Sequence, residues 1–183
     1  MRRLRVGAAA LNQTPLGWRG NAARIREAFK QARHAKLDVL CLPEMCIPGY
    51  GCEDAYLAQD TWARSRDLLL ELSAETQGLT VTLGLPVRLD GRTYNVVALA
   101  HDGAILGCVA KQHLAGDGLH YEPRWFSAWP TGVVKRITLG GKEVPIGDIV
   151  IEAGDVRYGV EICEDAWVTE RPVQALAERG AQV

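Results

Sequence analysis

Three side chains that could act together in a cysteine hydrolase lie at the ends of predicted strands: Glu44, Lys111 and Cys163. A cysteine attacks a carbonyl carbon as the thiolate, and its ordinary pKa of about 8.5 leaves only a few per cent ionised at neutral pH. Glu164 and Asp165 follow Cys163 directly, and their negative charges would raise that pKa further. The thiol therefore needs a base or a cation from elsewhere in the chain.

Lys111 is the candidate cation, and Glu44 is the candidate base. Lys111 ends the apolar run 105–110, where a fixed ammonium would lower the pKa of a thiol and stabilise oxyanion charge. Glu44 lies in a stretch with two prolines and two glycines, and such a stiff loop suits a carboxylate that carries protons. Singly, each residue also fits an ordinary role: an inert buried thiol, a solvated lysine or a loop glutamate facing water.

Histidine is the alternative base in a cysteine–histidine arrangement. His34 falls in a predicted helix, and His101 falls in a predicted hairpin turn. His113 and His120, however, lie in the loop after Lys111, so the sequence leaves both open as bases.

The cysteine pattern argues against a disulfide framework and against a metal site. The count is odd, and no two cysteines have C-x-x-C spacing. No histidine pair with ligand-like spacing accompanies them, so we predict no metal and expect ordinary buried or loop thiols. The cysteines other than Cys163 are Cys41, Cys46, Cys52 and Cys108.

Composition narrows the class of protein. The chain has 183 residues, a net charge of −1 and 48% hydrophobic residues, as in an ordinary globular domain. The charge gives no electrostatic footprint for nucleic acid or for an anionic membrane surface, and no apolar run reaches the roughly 20 residues of a spanning helix. The N-terminus lacks a signal-peptide pattern, so we expect a cytoplasmic protein without nucleic-acid or membrane partners.

Hydrophobic periodicity predicts a mixed α/β fold. The first strand, helix and second strand are expected to form a parallel pair with a crossover, and Asn21 is the expected N-cap. Asp90-Gly91 and Asp102-Gly103 predict hairpin turns, and Ala153-Gly154 predicts a third. Residues 180–183 read as the approach to a further strand. Predicted strands cover 4–11, 38–42, 79–89, 93–100, 104–110, 148–152 and 155–161, and predicted helices cover 21–36, 61–77 and 170–179, the last with Thr169 as its cap.

The segments that hold these residues resemble the carbon–nitrogen hydrolase, or nitrilase, superfamily, which uses a Glu–Lys–Cys triad in this chain order. Further runs look like one branch, the glutaminase domain of glutamine-dependent NAD+ synthetases. The likeness spans essentially the whole chain, and the Glu-Pro-Arg-Trp-Phe segment is more specific than the triad residues. The runs are Pro48-Gly49-Tyr50-Gly51-Cys52-Glu53-Asp54, residues 111–118, Tyr121-Glu122-Pro123-Arg124-Trp125-Phe126, and Glu161-Ile162-Cys163-Glu164-Asp165-Ala166-Trp167.

The resemblance implies an α–β–β–α four-layer sandwich that is incomplete at its C-terminus. Residues 1–183 would form an N-terminal glutaminase domain that hydrolyses L-glutamine through a cysteine thioester. The ammonia would serve a C-terminal synthetase domain that amidates deamido-NAD+ with ATP and Mg²⁺. No cofactor is expected in these residues themselves, since no phosphate-binding G-x-x-x-x-G-K motif occurs. A homo-oligomer is also implied.

The resemblance also implies roles for individual residues. Glu44 would carry the proton, Lys111 would stabilise the oxyanion, and Cys163 would be the nucleophile. Glu122 would orient Lys111 and the substrate amide, although a surface pair with Arg124 is the alternative. The predicted substrate-binding residues are Glu164, which would contact the substrate α-ammonium, together with Asp117, Tyr50 and Trp167.

Two other functions stay open at this point. The chain could belong to another amidase of the same superfamily that acts on a different amide. It could also be a non-catalytic assembly module, although Glu44, Lys111 and Cys163 are all present.

Overall fold

A computed structural model describes residues 3–183. Short 3₁₀ segments occupy Tyr50–Leu57, Glu122–Arg124 and Cys163–Ala166. The helices in this part of the chain are α1 (Trp18–His34), α2 (Gln59–Ser73) and α3 (Pro172–Glu178). The strands are β1 (Val6–Ala8), β2 (Val39–Cys41), β3 (Thr80–Leu89), β4 (Arg92–His101), β5 (Ala104–Ala110), β6 (Val134–Leu139), β7 (Lys142–Gly147), β8 (Ile151–Ala153) and β9 (Val156–Tyr158).

Seven strands form one sheet in the order β1-β2-β3-β4-β5-β7-β6. β1, β2 and β3 are parallel neighbours, which confirms the predicted crossover around α1. β3, β4 and β5 then run antiparallel, and β5 pairs in parallel with β7. β8 and β9 form a separate two-stranded sheet. The ends of β2 and β5 therefore belong to one sheet, although residues 44 and 111 are far apart in the sequence.

Two apolar cores lie on opposite faces of the large sheet. On one face of the large sheet, Ile25 and Phe29 of α1 and Leu69 of α2 pack against alternating strand residues. On the other face, the opposite set of alternating residues packs against the β8–β9 sheet, which follows from the period of two in a strand. Leu176 of α3 lies against the backbone at Gly159, just after β9. The layer order is helix, sheet, sheet and helix, as the resemblance implies.

The hairpin predictions from Asp-Gly pairs are confirmed. Leu89 pairs with Arg92 across the β3–β4 turn, and His101 pairs with Ala104 across the β4–β5 turn. All four turn residues have positive φ, between 47° and 82°, as the tight turns of hairpins require. The third turn, between β8 and β9, lies one residue later than predicted, at Gly154-Asp155.

Two predicted helix caps are wrong. α1 begins at Trp18 after Gly17, so Asn21 lies inside the helix. Its buried amide bonds both backbone groups of Thr14 and the carbonyl of Ile47, because an asparagine can serve a loop as well as a helix end. α3 begins at Pro172 after Arg171, not after Thr169, since proline suits the first helical position.

The β6–β7 hairpin was missed by the sequence reasoning. Its turn is Gly140-Gly141, with φ of +57° and +77°, and its strands alternate buried and exposed residues only partly. The last residues of the chain run beside β9, where Gln182 N donates to Arg157 O at 2.8 Å and Gly159 N donates to Val183 O at 2.8 Å. They are not assigned as a strand. None of the helices formed by residues 3–183 is long and apolar enough to cross a bilayer.

Candidate active site

Glu44 lies in the loop after β2, and this loop rests directly on β3. Ile47 N donates to Gly84 O at 3.1 Å, and Gly84 N donates to the Cys46 sulfur at 3.3 Å. A Cβ at Gly84 would overlap the backbone nitrogen of Met45, so only glycine allows this approach. Met45 itself has φ +51°, a turn that brings Glu44 back over the sheet. Close backbone packing thus fixes the position of Glu44.

Lys111 follows β5, and its ammonium binds two carboxylates. The side chain is fully buried, with Nζ 2.7 Å from Glu44 Oε1 and 2.8 Å from Glu122 Oε2. Burial is the largest influence on the pKa of Lys111 and lowers it, but Glu44 and Glu122 together outweigh burial and raise that pKa. The two carboxylates therefore favour the charged form of Lys111 and hold its ammonium in one place.

Glu122 is completely buried beneath this pair. Its oxygens accept hydrogen bonds from the Tyr50 hydroxyl at 3.0 Å and from Ala115 N at 2.8 Å. The alternative surface pair with Arg124 is not formed, because Arg124 binds Asp54 through two contacts of 2.7 Å. The geometry fits the predicted orienting role of Glu122, with Lys111 held between two carboxylates.

Cys163 begins a 3₁₀ turn after the second sheet, and its side chain is exposed. Its φ of +48° is unusual for a residue with a Cβ and costs about 1–3 kcal/mol, so the surrounding structure must enforce it. Asp165 supplies that restraint. Its carboxylate accepts Ile162 N at 3.1 Å on one side and His113 N at 2.8 Å on the other. The cysteine turn is thereby tied to the loop that follows Lys111.

The thiol of Cys163 lies in the electrostatic field of the other candidates. Burial raises its pKa most, Glu44 raises it next, and Lys111 lowers it without reversing the shift, while Glu122 and Glu164 raise it further. The predicted effect of Lys111 thus has the right sign but is outweighed. Since the thiol is predominantly neutral, attack requires a base, and Glu44 is the carboxylate that acts on it most strongly.

The histidines that the sequence left open have other contacts. His113 contributes its backbone N–H to Asp165, and the ring of His120 lies edge-on to Tyr50, with centroids 6.2 Å apart. No histidine is among the groups that shift the pKa of Cys163 most strongly. Within residues 3–183, no three histidine, cysteine, aspartate or glutamate side chains are grouped as a metal site.

The predicted substrate-binding residues are spread over different environments. Tyr50 is half-buried and bonded to Glu122, and both burial and Glu122 raise its pKa. Glu164 is half-buried beside Cys163. Trp167 is 79% exposed, and Asp117 lies in an exposed loop. In the described part of the chain, neither of these two side chains forms a hydrogen bond or an ion pair with the triad, so their roles stay predictions.

Sequence reasoning missed two residues of this site. Asn95 of β4 donates to Glu44 Oε1 at 2.6 Å. The only sequence signal for this role was a single amide side chain inside a buried strand. Asp165 was part of a quoted motif but received no role. An acid two residues after a strand-end cysteine could have suggested a restraint on the turn.

Comparison with known proteins shows the family of this chain. The profile of the family described as Carbon-nitrogen hydrolase matches residues 5–183. The chain belongs to the carbon–nitrogen hydrolase family. The core described above is thus that of a carbon–nitrogen hydrolase domain.

Relatives of this carbon–nitrogen hydrolase include larger proteins. A glutamine-dependent NAD(+) synthetase from Saccharomyces cerevisiae is 34% identical over 184 residues, covering 94% of this chain and 26% of the relative. The crystal structure of a glutamine-dependent NAD(+) synthetase from Cytophaga hutchinsonii is 43% identical with a TM-score of 0.86, covering 88% of this chain and 28% of its own. The chain spans about a quarter of the length of the curated relatives it matches.

A second group of solved structures shares the fold. An amidase from Nesterenkonia sp. superposes with a TM-score of 0.72 over 98% of this chain and 62% of its own, at 21% identity. This likeness supports the sandwich fold alone.

Proposed function

We propose that this domain hydrolyses the side-chain amide of L-glutamine and releases ammonia for the ATP-dependent amidation of deamido-NAD+ to NAD+. The single observation that carries the proposal is the Glu44–Lys111–Glu122 network beside Cys163, in a chain similar throughout to glutamine-dependent NAD+ synthetases. The domain would be the N-terminal glutaminase part of such a protein.

In the first half-reaction, Glu44 takes the proton of the Cys163 thiol, and the sulfur attacks the amide carbon of glutamine. The carbonyl oxygen gains the negative charge, and the Lys111 ammonium stabilises it without losing its own proton. The C–N bond then breaks, and Glu44 returns its proton to the departing nitrogen. Ammonia leaves, and a γ-glutamyl thioester remains on Cys163.

In the second half-reaction, water hydrolyses the thioester. Glu44 takes a proton from the water, whose oxygen attacks the thioester carbon. The C–S bond breaks, the thiolate recovers the proton, and glutamate is released. Glu44 thus carries one proton in each half-reaction, from the thiol to the departing nitrogen and then from water to the sulfur, which requires a fixed position near the sulfur rather than a preformed thiolate.

The chemistry beyond ammonia release is assigned to residues outside this chain. ATP and Mg²⁺ would act in the synthetase portion, since the relatives are about four times longer than their matched part. Glu164 would hold the α-ammonium of glutamine beside the nucleophile. A homo-oligomer remains a prediction from the resemblance, and a cytoplasmic location remains a prediction from the N-terminal sequence.

The test uses the complete protein that carries this chain, with deamido-NAD+, ATP and either glutamine or ammonia as nitrogen source. Cys163→Ala should abolish NAD+ formation from glutamine and preserve formation from ammonia. Cys41→Ala is the matched control, because Cys41 is the other exposed cysteine of the described residues. It should preserve both activities.

Three results would contradict the proposal. Glutamine-driven activity that survives Cys163→Ala would remove the assigned nucleophile. A preference for another amide over glutamine, unaffected by deamido-NAD+ and ATP, would favour a different amidase of the family. If a diazo-ketone analogue of glutamine fails to label Cys163 in folded protein, a non-catalytic assembly module is favoured.

A further inference from the structure

Asn95 is a polar side chain inside an apolar strand. It lies in β4, is 1% exposed, and is flanked by the buried residues Tyr94 and Val96. Its backbone oxygen accepts Lys111 N at 2.9 Å, so β4 holds Asn95 and Lys111 side by side. A buried amide is costly unless its groups are paired, which makes its partners informative.

The amide nitrogen of Asn95 serves two carboxylates. Nδ2 lies 2.6 Å from Glu44 Oε1 and 3.4 Å from Glu122 Oε1. The opposite orientation of the amide would place its oxygen against both carboxylate oxygens, so electrostatics fix the nitrogen toward them. The amide nitrogen of Asn95 thus contacts both the proposed base, Glu44, and Glu122.

The two oxygens of Glu44 consequently differ. Oε1 accepts Lys111 Nζ at 2.7 Å and Asn95 Nδ2 at 2.6 Å. Within residues 3–183, Oε2 accepts no hydrogen bond, and it is not counted among the buried atoms that lack a partner. One oxygen is fully occupied by donors, while the other is accessible and uncommitted.

We infer that Asn95 is a positioning residue that, together with Lys111, occupies Glu44 Oε1 and leaves Oε2 as the oxygen that exchanges the proton with Cys163. The inference rests on the proposed function, because it assigns the atom through which the same base acts. Two donors on Oε1 stop the carboxylate from rotating, so that each proton transfer uses the same geometry.

The other end of the Asn95 amide supports a positioning role. Oδ1 is buried and has no hydrogen-bond partner among the described residues. An orphaned buried acceptor opposes folding, so it needs a compensating reason. Asn95→Leu removes this orphan together with the donor while keeping the number and branching of the side-chain heavy atoms. Its effects on stability and on turnover should therefore diverge.

The experiment measures glutamine hydrolysis by the complete protein with Asn95→Leu. The expected result is a kcat about 10–100-fold lower, the worth of a hydrogen bond to a charged group, with KM within about 3-fold. The acidic limb of the pH profile of kcat should move to higher pH, because the negative carboxylate has lost a donor. Loss of structure alone would lower activity at every pH without moving this limb.

Thr93→Val is the matched control. Thr93 lies two residues earlier on the same face of β4, is also buried, and makes no side-chain contact with the triad among the described hydrogen bonds. The substitution removes a buried polar group at constant shape. It should leave kcat within about 2-fold and the pH profile unchanged.

Asn95→Asp tests the same contact if the leucine variant does not fold. It keeps the shape but replaces the donor with a carboxyl group that donates only when protonated, so activity should fall more at alkaline than at acidic pH. Unchanged kcat and pH profile in either folded variant would overturn the role of Asn95. If wild-type hydrolysis still depends on Cys163, the proposed function survives that failure.

Discussion

The two sides of the candidate active site are built in opposite ways. On the acid–amine side, Lys111 and Glu122 have fully buried side chains, and every charge has several partners. On the thiol side, Cys163 is exposed, and within residues 3–183 its side chain makes no hydrogen bond. Groups that hold or move a charge are enclosed so that their geometry is fixed, whereas the nucleophile is left open so that a substrate can reach it.

This difference in burial also predicts different effects of substitutions on stability and on turnover. Removing one partner of a buried ion pair typically costs about 3–5 kcal/mol, because the remaining charge is left uncompensated. Removing the thiol of Cys163, an exposed residue, should cost less. Changes on the acid–amine side should therefore affect both folding and turnover, and changes at Cys163 should affect turnover alone.

On the acid–amine side, the largest change in turnover is expected for Glu44→Gln. Loss of the general base should lower glutamine hydrolysis by about 10²–10⁴-fold. The same change removes the strongest carboxylate influence that raises the pKa of Cys163, so the thiol should ionise at lower pH. Alkylation of Cys163 by iodoacetamide at neutral pH should become faster while hydrolysis becomes slower. Equal losses of both would indicate a collapsed site.

Lys111→Met should lower hydrolysis by about 10²–10³-fold through loss of oxyanion stabilisation. It should act on the thiol in the opposite direction from Glu44→Gln, because Lys111 lowers the pKa of Cys163. Alkylation should therefore be slower than in the wild type at neutral pH. The variant also leaves Glu44 and Glu122 close together without their shared cation, so a lower melting temperature should accompany it.

The alkylation rates of Glu44→Gln and Lys111→Met together have one outcome that would contradict the proposed electrostatics. If alkylation changes in the same direction in both variants while the proteins stay folded, then the acid and the amine do not act on the thiol as described. Cys41, exposed and distant in the sequence, provides the internal reference for alkylation within each variant.

Asp165→Asn should have an intermediate effect, about 10-fold on kcat. The carboxylate bonds three backbone N–H groups, on residues 112, 113 and 162, and an amide offers only one oxygen to them. The cysteine turn should then lose its fixed orientation relative to Lys111. Steady-state kinetics and a melting curve would check this, and an unchanged kcat with a lowered melting temperature would assign Asp165 to folding alone.

The smallest effect is expected for Arg124→Ala. Its exposed pair with Asp54 holds the pKa of that carboxyl at about 2, chiefly through the guanidinium hydrogen bond. This pair lies outside the Lys111 network, so turnover should stay within about 2-fold of the wild type. A large loss of turnover would show that this exposed pair matters as much for catalysis as the buried Lys111 network.

The sequence was sufficient for the features that local patterns encode. Asp90-Gly91 and Asp102-Gly103 require the backbone of tight hairpin turns, and both turns form. The end of an apolar run places a side chain at a sheet edge, which brings Glu44 and Lys111 together. Cys163 was likewise expected at a strand end, and the family resemblance strengthened its grouping with these two residues.

Features that depend on contacts between residues far apart in the chain could not be predicted from the sequence. Asn95 matters because β4 pairs with β5 in a register that aligns it with Lys111, and no local pattern encodes that register. Asparagine is a residue type favoured at N-caps, yet the side-chain amide of Asn21 forms hydrogen bonds with the loop at Thr14. Gly140-Gly141 is a hairpin signal that was overlooked between strands with weak alternation.

The most direct test of the proposal that Glu44, Lys111 and Cys163 act together is intact mass spectrometry of the complete protein, quenched in acid during turnover of glutamine. We expect a γ-glutamyl adduct that maps to Cys163, disappears in Cys163→Ala and forms far more slowly in Glu44→Gln. Sustained glutamine hydrolysis with an adduct on another residue, or a Cys163 adduct that forms at the wild-type rate without Glu44, would contradict it.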